Sequence, residues 1–440
     1  MIIQPAKKIC GRLTVPGDKS ISHRAAMVAA LAEGSSQITN FSTSQDCAAT
    51  LACLEQLGVS IERDGSDLLI HGVGLNGLRA PAGPLDCRNS GTTMRLLAGI
   101  LAGQSFKTEL TGDASLRSRP MQRIIEPLEM MGAHISSHEG RAPLAIEGRQ
   151  PLHAITYKLL VASAQVKSCV LLAGLNADGR TEVIENDPTR DHTERMLSYF
   201  GIPVETGKAE RAGGSASFAA VSGPVSFMAQ DVSIPGDISS AAYFLAAAAL
   251  MPGSSIEIGN VGMNPTRASF LNQLRALGFD VTVSGTREES NEPDGAVSIH
   301  GAEEPRHPAD FQPPFLIDGL RIAQLIDELP LLAVVGSQIE GGLEIRDAAE
   351  LRVKESDRIA TTAGGLRAMG AEVEEFDDGL RVTGPARLRG AEIDSHGDHR
   401  IAMAFSIAGL IAEGKTEIKD ADCVAVSFPE FFGLLKSLIE

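Results

Sequence analysis

The hydrophobic residues of this chain form one pattern that recurs six times along the sequence. Each copy is a run of apolar residues with scarcely a polar side, such as AAYFLAAAALM or IAMAFSIAGLIA, and each ends at a glycine. A helix that is apolar all round is buried on every side. The closing glycines lie 69 to 88 residues apart, at Gly34, Gly103, Gly179, Gly253, Gly341 and Gly414. A repeated period of this kind predicts a repeated supersecondary unit.

A second pattern lies between the copies of the first. It is an amphipathic helix, such as MQRIIEPLEMMG, that ends in an apolar residue followed by glycine. Short strands come next, joined by Asp-Gly or Glu-Gly steps that indicate β-hairpins. The apolar-glycine steps are Leu57-Gly58, Met131-Gly132, Phe200-Gly201, Leu277-Gly278 and Met369-Gly370. The sequence therefore predicts an α/β protein of six strand–helix–strand–helix–hairpin units, with buried helices and mixed sheets.

The sixth copy of the pattern predicts the domain organisation. Its second helix, near residues 429–439, reaches the end of the sequence with no strand pair after it, so a closing strand is expected from residues 9–15. The chain is long enough for two domains of about 200 residues each. We expect domain one to comprise residues 1–15 and 232–440 and domain two residues 16–231, with three units in each. The alternative, two unrelated domains with chance glycine spacing, is disfavoured by the five similar intervals.

Composition and charge disfavour several classes of protein. The chain has 43% hydrophobic residues and a mean hydropathy of +0.03, and its longest apolar stretch is shorter than the roughly 20 residues of a membrane span. The six cysteines form no Cys-x-x-Cys pair and the N-terminus shows no apolar leader, so we expect a reduced, cytoplasmic protein. The net charge of −17 disfavours nucleic acid as a partner, because such binding needs a basic face. We expect small-molecule partners and a monomer.

Against this acidic background, basic and small residues gather where the predicted helices begin. Lys19 and Arg24 follow a Pro-Gly turn, where free backbone N–H groups and the helix dipole favour an anion. The helix starts at residues 89–95 and 163–167 add hydroxyl and amide groups, and Gly91 lets a ligand approach the backbone closely. Ordinary capped helix starts are the alternative explanation for all three segments.

Three arginines within residues 117–123 make another cationic segment. Pro120 suits the first position of a helix, which leaves Arg119 extended just outside it. With no acid close by in the sequence, these arginines repel one another unless an anion joins them.

Residues 351–358 carry the strongest local signal. If this segment opens a helix, Lys354 and Arg358 lie at positions i and i+4 on one face. Such a like-charge pair is mildly destabilising by itself, and an anionic ligand between the two cations removes the objection. Glu355 beside them is a candidate acid or base.

Two further helix starts hold acids. Asp327 begins a buried helix, where capping is the structural explanation and a general base at a cationic site is the functional one. The segment His-Gly-Asp-His at residues 396–399 is one motif that could bind a metal, but no third ligand cluster supports it, so no metal is expected. A cationic role together with Arg400 is the preferred interpretation.

Taken together, these segments resemble one family over the whole chain. In order and at matching spacing they are residues 16–24, 89–95, 119–121, 163–165, 327–328, 352–358 and 398–400. The family is 5-enolpyruvylshikimate-3-phosphate synthase, and the Gly-Asp-Lys-Ser and Ser-Ala-Gln-Val-Lys segments are similar to its class II branch. The resemblance implies the two-domain enolpyruvyl transferase fold, with three βαβαββ units per domain and the active site in the cleft between the domains.

The resemblance also implies the reaction and its residues. The family transfers the enolpyruvyl group of phosphoenolpyruvate to the 5-hydroxyl of shikimate 3-phosphate and releases phosphate, by addition and elimination, with no metal or organic cofactor. Asp327 would accept the hydroxyl proton, Glu355 would protonate the methylene carbon, and Lys19 completes the catalytic set. The residues implied for shikimate 3-phosphate are Lys19, Ser20, Arg24, Ser163, Ala164, Gln165, Arg190, Asp327 and Lys354. Those implied for phosphoenolpyruvate are Lys19, Gly91, Arg119, Gln165, Arg358 and Arg400.

The chain departs from the family pattern in places that bear on glyphosate, an inhibitor of this family. The lysine found in another branch shortly before Thr-Phe-Pro is missing from residues 426–429. Gly91 stands where the tolerant class II pattern has alanine, and its smaller size predicts less tolerance than that pattern confers. Leu96 stands where the sensitive branch has proline, which favours the opposite outcome.

Two other functions compete with this interpretation. The first is an enolpyruvyl transferase that acts on UDP-N-acetylglucosamine, which has the same fold and typically uses a reactive cysteine. The best-placed cysteine, Cys87, is expected to be a packed, unreactive side chain. The second is a binding protein for phosphorylated metabolites without catalysis, which explains the cationic helix starts but not Asp327 and Glu355 among them.

Overall fold

A computed structural model of the chain describes residues 1–211, 214–301 and 314–440. In those residues the α-helices are α1 (Lys19–Leu31), α2 (Gln45–Gln56), α3 (Gly91–Ala102), α4 (Ala114–Ser118), α5 (Gln122–Met130), α6 (Ala164–Gly174), α7 (His192–Tyr199), α8 (Ile238–Leu250), α9 (Ser269–Ala276), α10 (Leu320–Leu325), α11 (Leu329–Gly336), α12 (Arg358–Ala368), α13 (His399–Ile411) and α14 (Phe431–Leu438). Two 3-10 helices lie at Ala349–Val353 and Ala421–Val426.

The strands alternate with these helices. They are β1 (Ile2–Ile3), β2 (Cys10–Thr14), β3 (Glu33–Thr39), β4 (Ser60–Asp64), β5 (Asp67–Val73), β6 (Leu85–Asp86), β7 (Lys107–Thr111), β8 (His134–His138), β9 (Arg141–Glu147), β10 (Thr156–Lys158), β11 (Arg180–Glu185), β12 (Val204–Arg211), β13 (Gly214–Ser222), β14 (Val232–Ser233), β15 (Ser255–Gly262), β16 (Asp280–Glu289), β17 (Glu292–His300), β18 (Phe315–Ile317), β19 (Leu343–Ile345), β20 (Val373–Phe376), β21 (Gly379–Val382), β22 (Glu392–Asp394) and β23 (Thr416–Lys419).

The strands form six sheets with one shared pattern in the described residues. In the sheet β6-β7-β9-β8, the pair β6 and β7 is parallel, while β9 is antiparallel to both β7 and β8. The sheets β10-β11-β13-β12 and β18-β19-β21-β20 repeat this arrangement. The prediction of an α/β protein with six repeated units and mixed sheets is therefore confirmed.

The six apolar segments all form buried helices, as predicted. They are α1, α3, α6, α8, α11 and α13, and every residue from Ile238 to Ala249 in α8 is buried. Because these helices have no polar side, each needs apolar neighbours all round, and other buried helices together with the sheets supply many of them. The result is two separate apolar cores, one in each of the two compact units.

The chain folds into those two compact units. The first unit comprises Met1–Pro16, Pro235–Arg287 and Pro293–Glu440, and the second comprises Gly17–Ile234 and Glu288–Glu292. The divisions fall after residues 16 and 234, and the sequence analysis ended its domains at residues 15 and 231.

The apolar-glycine steps end the five amphipathic helices by one shared mechanism. At the end of α12, for example, the N–H of Gly370 donates to the carbonyl of Arg367 and the N–H of Ala371 to that of Leu366, which is the Schellman pattern. Gly370 has φ of +93°, a conformation that glycine adopts without steric cost. Gly58, Gly132, Gly201 and Gly278 have positive φ in the same position after α2, α5, α7 and α9.

The closing strand of the sixth unit is not the one that the sequence predicted. The strand from residues 10–14, β2, instead pairs in parallel with β15 in the sheet β16-β17-β15-β2. The sheet of the sixth unit, β1-β23-β22, is closed by β1, which is antiparallel to β23. In a similar exchange, β14 precedes α8 in the chain but pairs with β3 in the sheet β14-β3-β5-β4 of the first unit of the repeat. Strands of two to five residues carry too little pattern to specify their partners.

No helix among the residues described is long and apolar enough to cross a membrane.

Candidate active site

The buried helix α1 places Lys19 at its start. Asp18 caps the helix, and its carboxylate accepts a hydrogen bond from the N–H of Ile21 at 2.9 Å. Nζ of Lys19 lies 2.8 Å from Oδ2 of Asp46 in the first turn of α2. The sequence analysis missed Asp46, because this partner lies 27 residues away on another helix.

The start of α3 brings two guanidinium groups against a glycine. Ser90 caps this helix by accepting a hydrogen bond from the N–H of Thr93 at 3.1 Å. A Cβ atom on Gly91 would lie 2.8 Å from Nη1 of Arg95 and 3.5 Å from Nη1 of Arg119. Position 91 therefore borders a cationic region in which a single additional carbon would displace a charged group.

Arg119 reaches this region from the end of α4. It is the C-cap residue directly after that helix and has an extended backbone, with φ of −77° and ψ of 146°, as predicted. The expected reason was wrong, because Met121 and not Pro120 directly precedes α5. Nη2 of Arg119 donates to Oδ1 of Asn89 at 2.7 Å, so the side chain is held beside the start of α3.

Arg95 joins α3 to the start of α6 and was not among the predicted site residues. Its Nη1 donates to Oε1 of Gln165 at 2.5 Å, and Nε2 of Gln165 donates to Oγ1 of Thr92 at 2.9 Å. Ser163 caps α6 and Ala164 is its first residue. A signal existed in the sequence, since Arg95 lies one helical turn beyond Gly91 on the same helix.

Arg24 lies one turn along α1 and is almost fully buried. Its Nε donates to Oγ1 of Thr193 at 2.7 Å and its Nη2 to Oγ of Ser168 at 2.8 Å. Its Nη1 donates to the carbonyl of Ser20, whose own side chain is half-buried. Burial lowers the pKa of Arg24 to about 10, so the guanidinium stays charged at neutral pH, and Arg190 is near enough to contribute to this shift.

In the first unit, Arg358 is the centre of an ionic cluster. It is 2% exposed, and its Nε lies 2.8 Å from Oδ2 of Asp398, the cap of α13. Its Nη2 donates to Glu355 at 2.6 Å, and its Nη1 lies 3.5 Å from Oδ1 of Asp327. Burial alone would lower the pKa of Arg358, but Asp398 and Glu355 outweigh it and raise that pKa.

The geometry predicted for Lys354 and Arg358 is wrong. Lys354 follows the 3-10 helix Ala349–Val353, and α12 begins only at Arg358, behind the cap Asp357. The two cations are therefore not on one helical face. Lys354 is half-buried, and burial and Arg358 lower its pKa while Asp327 and Glu355 oppose the shift, so it belongs to the same cluster.

Arg400 extends the cluster at the start of α13. Its side chain is buried, and its Nε has no hydrogen-bond partner in residues 1–211, 214–301 and 314–440. Tyr243 of α8 forms a hydrogen bond with Arg400, and burial raises the pKa of Tyr243 to about 12. Burial would lower the pKa of Arg400, but Tyr243 and Asp327 raise it.

A second buried arginine, Arg267, was missed by the sequence analysis. Its Nη2 donates to Oγ of Ser239 at 2.7 Å, and its Nη1 lies 3.9 Å from Oδ2 of Asp327. The Ser239 hydroxyl donates in turn to Glu328, which begins α11. Arg267 and Asp327 lie far apart in the sequence, so no local pattern connects them.

The structure thus gathers the predicted residues into two groups, one in each unit. The second unit holds Lys19, Ser20, Arg24, Gly91, Arg119, Ser163, Ala164, Gln165 and Arg190, and the first unit holds Asp327, Lys354, Glu355, Arg358 and Arg400. The described residues contain no group of three or more His, Cys, Asp or Glu side chains that could hold a metal ion. Both groups combine cations at the starts of buried helices, and one adds two carboxylates, which suits anionic substrates and proton transfer.

Cys87 does not have the environment of a reactive thiolate. It is buried just before the start of α3, and a hydrogen bond with Cys53 and burial raise its pKa well above the ordinary value. A thiol with a raised pKa is a poor nucleophile at neutral pH.

Solved structures define the class of protein to which this fold belongs. Two structures of EPSP synthase from Acinetobacter baumannii match the chain with TM-scores of 0.85 and 0.84, at 42% and 41% sequence identity. The matches cover 100% of this chain and 97% and 98% of the other chains. The fold is the two-domain enolpyruvyl transferase fold, as the resemblance implied.

Sequence comparison then gives the family. The family model described as EPSP synthase (3-phosphoshikimate 1-carboxyvinyltransferase) matches residues 3–435. Proteins named 3-phosphoshikimate 1-carboxyvinyltransferase from Koribacter versatilis (strain Ellin345) and Acidithiobacillus ferrooxidans (strain ATCC 53993 / BNL-5-31) are each 51% identical to it, over 100% and 98% of this chain and 99% and 95% of their own lengths. The chain belongs to the EPSP synthase family, and the alternative that acts on a UDP-sugar is not favoured.

Proposed function

We propose how this chain carries out the reaction of its family. The reaction transfers the enolpyruvyl group of phosphoenolpyruvate to the 5-hydroxyl of shikimate 3-phosphate, in the shikimate pathway to chorismate and the aromatic amino acids. The observation that carries the proposal is the cluster around Arg358, where Asp327 and Glu355 contact one buried guanidinium. A site that only binds anions has no need of two carboxylates among its cations, whereas addition and elimination need an acid and a base.

Shikimate 3-phosphate would be held mainly by the second unit. Ser163, Ala164 and Gln165 present hydroxyl, N–H and amide groups at the start of α6, where the helix dipole favours the phosphate. Arg190 would contribute a positive charge that attracts this phosphate. The Arg24 guanidinium already bonds to protein groups, so its role would be to hold the start of α1 and Ser20 in place and to contribute positive potential.

Phosphoenolpyruvate would place its phosphate near Lys19, Gly91 and Arg119. Gln165 would lie beside it, since Arg95 ties this amide to α3. The carboxylate would be bound by Arg358 and Arg400 of the first unit. The buried Nε of Arg400, which has no hydrogen-bond partner in the part of the chain that the structure describes, supports a ligand there. Both groups would thus act on one pair of substrates.

The chemistry would follow from the two acids. Asp327 would take the proton of the 5-hydroxyl as its oxygen attacks C2 of phosphoenolpyruvate, while Glu355 gives a proton to C3. The tetrahedral intermediate then loses a proton from C3 and releases phosphate. Lys354 and Lys19 would stabilise the negative charge that develops in these steps.

We further propose that the chain acts as a cytoplasmic monomer. The support for the cytoplasm is its cysteine chemistry, since all six cysteines are free, as in a reducing compartment. Light scattering at the concentration of the activity assay checks the monomer, and a dimer mass would contradict it.

The test of the function is phosphate release with each acceptor. Phosphoenolpyruvate is incubated with the purified protein and either shikimate 3-phosphate or UDP-N-acetylglucosamine. We expect release with shikimate 3-phosphate alone, and release only with the UDP-sugar would overturn the proposal. Absence of release with both would leave a binding protein.

The residue roles are tested by three variants against a matched control. Asp327→Asn, Glu355→Gln and Lys19→Met are each expected to lower kcat by about 10²- to 10⁴-fold. Lys107→Met is the control for the lysine, because Lys107 lies on the same unit with its side chain 75% exposed. Full activity in any of the three variants would remove that residue from the mechanism.

A further inference from the structure

A buried chain of hydrogen bonds links the helices α1, α2 and α3 behind the proposed phosphoenolpyruvate site. Nδ1 of His23 lies 2.7 Å from Oγ1 of Thr50, and that oxygen lies 2.7 Å from Oγ1 of Thr93. Oγ1 of Thr93 donates to Oγ of Ser90 at 2.7 Å. All four side chains are fully buried, so each lost hydrogen bond leaves a polar group without water.

The donors and acceptors in this series of hydrogen bonds follow one consistent order from His23 to Ser90. Because Thr93 gives its hydroxyl proton to Ser90, the bond between the two threonines must be donated by Thr50. Thr50 must then accept from Nδ1 of His23, which therefore carries the proton of the neutral ring.

The other nitrogen of the ring agrees with this assignment. Nε2 of His23 is buried and has no hydrogen-bond partner among the described residues, and a bare lone pair is tolerated there better than an orphaned N–H donor. Burial, Lys19 and Arg24 lower the pKa of His23 well below its ordinary value, so the ring is neutral.

This series of hydrogen bonds lies one helical turn from the ion pair between Lys19 and Asp46. His23 follows Lys19 by one turn of α1, and Thr50 follows Asp46 by one turn of α2. Two side-chain pairs on successive turns therefore join these helices, the first between Lys19 and Asp46 and the second between His23 and Thr50. Thr93 also contacts the carbonyl of Asp46, at 3.4 Å. The hydrogen bond between His23 and Thr50 therefore sets the spacing of α1 and α2, and its continuation to Thr93 connects both helices to the first turn of α3.

We propose that His23 is a positioning residue for phosphoenolpyruvate: through Thr50 and Thr93 it holds Lys19 and the start of α3 at the separation that the phosphate requires. This inference rests on the proposed function, which assigns Lys19 and Gly91 to that phosphate. His23 touches no substrate, and its effect passes through the helices it joins. Shikimate 3-phosphate is assigned mainly to the start of α6 and to Arg190, which these hydrogen bonds do not include, so its binding is expected to respond less.

The test compares variants that remove the hydrogen bond between His23 and Thr50 with one that keeps it. His23→Leu and Thr50→Val remove the bond, whereas His23→Asn places an amide N–H close to the position of Nδ1–H. We expect His23→Leu and Thr50→Val to raise the KM for phosphoenolpyruvate about tenfold, the value of one buried hydrogen bond. We expect the KM for shikimate 3-phosphate to change less than about twofold, and His23→Asn to restore most of the loss.

A matched control separates positioning from general destabilisation. Thr181→Val removes another buried hydroxyl of the same unit, one with no hydrogen-bond partner in the described ranges, and should leave both KM values unchanged. If the KM for phosphoenolpyruvate stays at the wild-type value in folded Thr50→Val, or if both KM values rise equally, the inference is wrong. Failure of the wild-type protein to release phosphate would instead refute the proposed function, so the two failures are distinguishable.

Discussion

The buried ion cluster of Lys167 allows one prediction with a worked magnitude. Lys167 of α6 is 1% exposed, and its Nζ lies 2.9 Å from Oε1 of Glu185 and 2.7 Å from Oε1 of Glu194. Oε2 of Glu185 accepts hydrogen bonds from the N–H and hydroxyl of Thr189. One ammonium group therefore pairs with two buried carboxylates, at the end of β11 and on α7.

Replacing Lys167 by methionine keeps most of the volume and leaves both carboxylates buried without their cation. Breaking a buried ion pair in this way costs about 3 to 5 kcal/mol. For a unit of this size, each kcal/mol lowers the midpoint of thermal unfolding by roughly 2 to 4 °C. We therefore expect Lys167→Met to lower the Tm by roughly 12 °C, from the central values of these two ranges.

The pH dependence has a definite sign. Burial alone would lower the pKa of Lys167, but Glu194 and Glu185 outweigh it and raise the pKa above the ordinary value of 10.5. A raised pKa stabilises the folded state fully below the unfolded pKa, and this contribution is lost only as the pH rises through the folded pKa. The cluster is thus fully stabilising at neutral pH.

In Lys167→Met the two carboxylates lack their cation, which is the source of the lost stability. The double variant Lys167→Met with Glu194→Gln should recover part of the stability at neutral pH. Thermal unfolding followed by circular dichroism measures both effects.

The exposed pair of Lys107 and Glu147 is the control. Its side chains are 75% and 52% exposed, so Lys107→Met should change stability by less than about 1 kcal/mol. A Tm for Lys167→Met within about 2 °C of the wild type, or no recovery in the double variant with Glu194→Gln, would refute the reasoning.

Three further predictions concern single positions. Gly91→Ala should raise the inhibition constant for glyphosate and the KM for phosphoenolpyruvate, because the new Cβ would lie 2.8 Å from Nη1 of Arg95; equal inhibition constants for the two proteins would contradict the steric argument. Gly364→Ala should stabilise the protein by about 0.5 to 1 kcal/mol, since the position is exposed inside α12 with no atom within 4 Å of the new Cβ, whereas Gly370→Ala, at φ of +93°, should destabilise it by about 1 to 2 kcal/mol; urea unfolding that ranks them the other way would refute the assignment. Treatment with an alkylating reagent at neutral pH should leave activity intact, because Cys87 is buried and its pKa is raised. Loss of activity together with modification of Cys87 would instead support a transferase that depends on a reactive cysteine.

The local features of the fold could be predicted from the sequence because they depend on neighbouring residues. An apolar run without a polar side can only be a buried helix, and an apolar-glycine step ends a helix whatever surrounds it. The six buried helices and the five positive-φ glycines follow from such rules. The positions of Lys19, Gly91 and Gln165 at helix starts follow from them as well, since capping residues and turns mark those starts.

Only the tertiary structure decided which elements and charges meet. Strands as short as β1 and β14 have no pattern that selects a partner, so the exchange that places β2 beside β15 could not be predicted. Lys354 and Arg358 were expected on one helical face, and the 3-10 helix before them prevented it. The partners of the site cations, such as Asp46 for Lys19 and Asp398 for Arg358, lie on other helices. Periodicity along the chain determines which faces are buried, but the pairing of charges depends on contacts between residues far apart in sequence, which only packing brings together.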